Sequence, residues 1–132
     1  MSHELDLATH LFGKVLNHVG MATRAADVTV DSEDVAAFLL RHQSCPLVSL
    51  QMNYLDWQPR REWLINTSRE SIRVDLLAGS ITTNGALVTV ACAGDDAYRL
   101  MHQAWLTNSM EHLCGYEDAV ELVRIMDGVT VA

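Results

Sequence analysis

The residues best suited to chemistry stand at the start of the chain. His3, Asp6 and His10 form the polar edge of a segment whose Leu5, Ala8 and Phe12 recur at three- and four-residue spacing. That period predicts a helix, with Ser2 as its N-cap and Gly13 as its stop. Imidazole is the side chain that exchanges protons near neutral pH. The seven-residue step from His3 to His10 lacks the adjacent-turn histidine pair of a helical zinc site, so a metal is not indicated. A solvated terminal histidine is the plainer account of His3 from the sequence alone. A second group, Tyr54, Arg60 and Arg61, falls at a strand end and in the loop beside Trp57. Arginine's planar fork grips a carboxylate or phosphate. A solvated strand edge, with Trp57 covering the end of the sheet, explains the same residues without a ligand.

Composition bounds what these groups can serve. The chain has 132 residues, a length that predicts one domain with its own core. It is 49% hydrophobic and 20% charged, which favours a folded domain over disorder. Its net charge of −8 repels phosphate backbones, and no arginines cluster beyond Arg60-Arg61, so nucleic acid is excluded as a partner. No apolar run approaches the roughly 18 residues of a membrane span, and no basic-then-apolar leader opens the chain. Cys45, Cys92 and Cys114 are odd in number, widely spaced and without a CxxC pair, as suits reduced thiols in a cytoplasmic protein.

The elements that position the candidates follow in order. Lys14 to Arg24 alternates loosely, as a strand does, and residues 25–33 read as a polar loop or short edge strand. Residues 34–41 suit helix or strand; the turn-like Gln43-Ser44-Cys45-Pro46 after them favours strand. Leu47 to Tyr54 places Val48, Leu50, Met52 and Tyr54 on one face and Ser49, Gln51 and Asn53 on the other. Trp63 and Ile65 share a side, and Ile72, Val74 and Leu76 alternate with Arg73 and Asp75. Asn84-Gly85, between 80–83 and 86–92, is a hairpin signal. Gly94-Asp95-Asp96 caps a helix with Ala97, Met101, Ala104 and Trp105 on one face, running toward Leu113, and Met101 and Trp105 are core by this spacing. A last helix starts at Tyr116-Glu117-Asp118, turns Ala119, Leu122, Val123 and Met126 inward and ends at Gly128. The expected class is α+β: an open, mostly antiparallel sheet of about six strands with helices on one face.

Several of these stretches resemble the Gfo/Idh/MocA oxidoreductases, the relatives of glucose–fructose oxidoreductase and inositol dehydrogenase. They are Ser2-His3-Glu4-Leu5-Asp6, Leu11-Phe12-Gly13, Asp34-Val35-Ala36, Ser49 to Leu55 with Pro59-Arg60-Arg61, and Leu113 to Ala119. No one motif is long, but their order runs from end to end of the chain. The resemblance implies a C-terminal α+β domain that contacts substrate and forms the oligomer interface, here as a homodimer or larger through the sheet face. The family's N-terminal Rossmann domain, which binds NAD(P), has no counterpart in residues 1–132. No Gly-x-Gly-x-x-Gly unit is present, and the one lysine, Lys14, lies outside any Glu-Lys-Pro motif. By the resemblance this chain alone binds no cofactor and is inactive, NAD(P) belonging to the full-length protein. His3 matches the family's histidine beside the substrate hydroxyl, and Tyr54, Arg60 and Arg61 become contacts for a small sugar- or polyol-like substrate. The family's acidic partner of that histidine falls before Met1. A competing class, a free-standing α+β dimer that binds a small ligand or a partner without catalysis, shares the same core pattern.

Overall fold

A computed structural model describes residues 2–26, 32–90, 94–110 and 113–131. The chain divides into two compact units, Met1–Leu55 with Leu113–Ala132, and Asp56–His112.

In the first unit α1 (Ser2–Phe12) leads into β1 (Val15–Thr23), β2 (Val35–His42) and β3 (Val48–Asn53), and α3 (Tyr116–Asp127) leads into the short β8 (Thr130–Val131). The sheet order is β3-β2-β1-β8, antiparallel except for the β1–β8 pair. Period-2 patterning sorts its faces. Ala36, Phe38, Leu40 and His42 on β2 are buried, and their neighbours Ala37, Leu39 and Arg41 are exposed. The register carries the division across the sheet: Phe38 pairs with Gly20 on β1 and Leu50 on β3, Leu39 with Val19 and Ser49. Leu5 and Ala8 of α1 and Leu122 and Ile125 of α3 are the helical contribution to this core. Gly20 marks its tightest point. A Cβ there would stand 2.8 Å from the Phe38 ring and 3.1 Å from Val129, closer than side chains pack.

The second unit is a meander, β4 (Glu62–Asn66), β5 (Ser71–Asp75), β6 (Ser80–Thr83) and β7 (Ala86–Thr89), followed by α2 (Asp96–Leu106). Its four strands pair antiparallel in chain order. The β6–β7 turn has the expected two-residue form, with positive φ at Asn84 (47°) and Gly85 (88°), so its twist matches the flanking strands.

The class is the expected α+β, with open and mostly antiparallel sheets. Among the described residues the strands number eight and form two sheets of four, where one sheet of about six was expected. Helix α2 is shorter than its periodicity suggests: Thr107 caps it, its Oγ1 donating to the Gln103 carbonyl (2.8 Å), and Asn108 turns left-handed at φ 55°. Asp95 precedes the helix without a side-chain capping bond. Trp105 is 74% exposed, and Ala104 is the buried residue of α2. In α3, Leu122 and Ile125 are buried and Val123 is exposed. Residues 27–31 of the expected loop, and Cys92 at the end of the expected last strand, lie outside the described residues.

Candidate functional site

His3 sits in the first turn of α1 and is exposed. The other end of α1 is fixed with several bonds. The Gly13 N–H donates to the Thr9 carbonyl (2.9 Å), and Gly13 takes φ 78°, which releases the chain from the helix into β1. The β2–β3 turn then clamps this junction. His42 Nδ1–H donates to the Gly13 carbonyl (2.7 Å), the Lys14 N–H donates to Gln43 Oε1 (3.1 Å), and the Ser44 N–H and hydroxyl both donate to the Phe12 carbonyl (3.0 and 2.8 Å). The carbonyl partner requires the hydrogen on Nδ1, and Nε2 is buried without a hydrogen-bond partner among the described residues. The direction of the helix that carries His3 is thus set by residues of β2 and the turn after it.

Tyr54 follows β3 and is 85% exposed; its backbone N–H donates to the Asp34 carbonyl (2.9 Å). Arg60 pairs with Asp56 at 3.0 Å on the surface, and the Arg61 carbonyl accepts the Leu76 N–H (2.9 Å). Trp57 is 99% exposed, so it covers no sheet end. His3 and Tyr54 therefore belong to the first unit, and Arg60 and Arg61 to the second. In the first unit a cleft of about 590 Å³ runs past Thr9, Lys14 and Val15 and the α3 residues Tyr116, Glu117, Asp118, Glu121 and Arg124. None of the four candidates lines it. Its three carboxylates oppose Lys14 and Arg124, so it does not select an anion. At Cys114 partial burial first, then its hydrogen bond to Asp6 and the Asp6 and Asp118 charges, push the thiol up from its ordinary value, which disfavours the thiolate. Among the described residues no group of three or more His, Cys, Asp or Glu side chains is placed to hold a metal ion.

Asp34 is the structural residue that spacing did not mark as one. It is 3% exposed, and its carboxylate accepts the N–H groups of Ala25 (2.7 Å) and Ala26 (2.8 Å). Its N–H donates to the Thr23 carbonyl, and its own carbonyl holds Tyr54. The Ala25 hydrogen bond is the largest cause that holds the carboxyl below its ordinary 3.8; burial opposes it, and Ala26, the Asp34 N–H and Arg24 add to it. A carboxyl lowered by folding contributes stability above its unfolded value and loses it as pH falls through the folded one. Asp34→Asn is therefore expected to melt earlier than wild type near pH 7, and the gap should close as the pH is taken below 3.8. Thermal melts across that range check it; a gap independent of pH would show that the charge is not what Asp34 contributes.

No family model matches the chain, and no curated protein matches it in sequence. Solved structures do match. UDP-N-acetylglucosamine 3-dehydrogenase GnnA from Acidithiobacillus ferrooxidans superposes on 97% of this chain with a TM-score of 0.73 at 18% identity, over 44% of its own length. The WlbA dehydrogenase from Bordetella pertussis, in complex with NADH and UDP-GlcNAcA, matches 97% of the chain at TM-score 0.66 and 18% identity, over 39% of its length. Biliverdin reductase from a Synechocystis species, with biliverdin and NADP+, matches 96% at 0.68 and 13% identity, over 42% of its length. The chain has the fold of the matched part of these oxidoreductases. This bears out, as a likeness of fold, the resemblance carried by the sequence motifs. The chain spans less than half the length of these neighbours.

Proposed function

We propose that the chain is the substrate-binding and oligomerisation domain of a cytoplasmic NAD(P)-dependent oxidoreductase that acts on a sugar or polyol-like substrate. The observation that carries this is one of extent: the fold accounts for 97% of this chain and 44% of the dehydrogenase GnnA. The remainder of such a neighbour is where a nucleotide domain belongs. The residues present do not fit a dinucleotide. None of the seven glycines forms a Gly-x-Gly pair, and the one parallel strand pair among the described residues, β1–β8, carries no glycine-rich turn into a helix. Nicotinamide chemistry is therefore assigned to residues outside this chain.

The roles within the chain are assigned by type. His3 takes the proton of the substrate hydroxyl as its carbon is oxidised, and Tyr54, Arg60 and Arg61 contact the substrate. Two of the three neighbours are named for UDP-sugar ligands or activity, which favours a sugar; biliverdin reductase shows that the same fold serves another ligand. The oligomer reading rests on the outer face of the first sheet, where Val19, Met21 and Leu39 are 63%, 57% and 49% exposed. Exposed apolar side chains gathered on one sheet face are the kind of surface that marks a protein–protein contact.

The test is the reading frame upstream of the Met1 codon in the native gene. A strand, a Gly-x-Gly-x-x-Gly turn and a helix encoded in frame are expected. A stop codon close upstream would remove the dehydrogenase reading and leave the free-standing binding domain.

A further inference from the structure

The four sheet edges are not alike. Edge strand β4 carries Glu62, held by two hydrogen bonds from Arg73 (2.8 and 3.2 Å). On its open face β3 shows the polar Ser49, Gln51 and Asn53, and β8 has two residues. Strand β7, Ala86–Thr89, is the last of its sheet, and all four of its residues are exposed. It carries no charge, proline or bulge, the devices with which natural edges avoid pairing. Leu87 is 65% exposed and Val88 60%. The absence of charge extends well beyond the strand. Residues 76–94 contain no Asp, Glu, Lys, Arg or His, in a chain whose net charge is −8.

Hydrogen-bond phase shows which groups this edge offers. A two-residue hairpin loop makes its flanking residues, Thr83 and Ala86, a hydrogen-bonded pair, and such pairs alternate along the ladder. Val88, opposite Ile81, is the next, and the Val90 N–H does donate to the Gly79 carbonyl (2.7 Å). Ala86, Val88 and Val90 thus turn their backbone groups toward β6. Leu87 and Thr89 turn theirs away from the sheet.

We infer that β7 is a pairing edge and that its occupant is β7 of a second copy, antiparallel about a two-fold axis at Val88. This is independent of the proposed oxidoreductase activity. In that register Leu87 of one copy faces Thr89 of the other, and the reverse, so four backbone hydrogen bonds close between them. The two Val88 side chains meet at the axis as a β-branched cross-strand pair. Charge selects the occupant. Copies with eight excess negative charges repel each other over most of their surface, and this uncharged run is where two of them meet without like charges opposed. Four bonds and a few side chains cover less than the roughly 1,200 Å² of a stable interface, so the pairing depends on concentration.

Amide hydrogen exchange, followed by NMR on the whole chain at low micromolar and near-millimolar concentration, tests it. At high concentration the Leu87 and Thr89 amides should slow about tenfold or more, while those of Val88 and Val90, already bonded to β6, hold their rates. Thr89→Pro removes one outward N–H without touching the β6 ladder and should abolish the slowing at Leu87. Leu87→Lys, which keeps the backbone donor and adds charge, should weaken it. Leu39→Glu, on the outer face of the other sheet, should leave it intact, which separates this edge from the oligomer reading above. Rates at Leu87 and Thr89 that ignore concentration overturn the inference. If they are fast the edge stays bare, and if they are slow another segment covers it.

Discussion

Phe38→Ala is expected to cost the first unit about 3–5 kcal/mol, the range for emptying a buried aromatic site. Phe38 is 1% exposed, and its ring lies over Gly20, whose missing side chain leaves the space it fills. Collapse cannot repair the loss cheaply, because Gly20 has no atoms to move inward and its neighbours on the sheet are held in register. Domains are stable by about 5–15 kcal/mol in total, so this one change is a large part of that. Urea unfolding followed by far-UV circular dichroism checks it. Tryptophan emission would not, since Trp57, Trp63 and Trp105 all lie in residues 56–112, the second unit. A midpoint unchanged from wild type would mean that the sheet face is not the core of this unit.

His3→Ala in the full-length protein is expected to lower kcat by roughly 10²–10⁴-fold, the usual contribution of a positioned acid or base. The binding constant for nicotinamide should hold, because the proposed function places its site outside residues 1–132. His3 is exposed and at the chain start, so its removal leaves the buried core untouched. Circular dichroism of the variant should match wild type, which separates lost chemistry from lost structure. His3→Gln should be as impaired as His3→Ala, because an amide hydrogen-bonds but does not take a proton. Full activity in either variant would assign His3 to the solvent.

The parts of this fold legible in the sequence are those written in local chemistry. Positive φ at Asn84 and Gly85 is a demand that those residue types meet, so the β6–β7 hairpin could be placed from two letters. Alternation in residues 48–53 separated Val48 and Leu50 from Ser49 and Gln51, because a strand has a period of two, whereas residues 35–40 are apolar on both sides and their pattern marked neither Phe38 as buried nor Leu39 as exposed. What alternation does not carry is which strand lies beside which. Residues 62–89 pattern like the others, yet they close on themselves as a separate sheet. Trp105 has core spacing on a helix that buries Ala104 instead, and nothing local distinguishes the two. Asp34 acts at a distance of eight and nine residues, on the backbone of Ala26 and Ala25, so no periodic pattern marks it. For the site, residue type located His3, Tyr54, Arg60 and Arg61 as candidates. Their joining depends on how chain segments outside any one helix or strand come together, and that is a property of tertiary structure.

The most direct test of the central claim is nicotinamide turnover by the full-length product of the native gene, assayed with UDP-sugars and free polyols and followed by the absorbance of the reduced cofactor. The account predicts reduction of NAD+ or NADP+ with at least one of these substrates, lost when residues 1–132 are deleted. No turnover by the full-length product, or turnover that is equal after residues 1–132 are deleted, would contradict it.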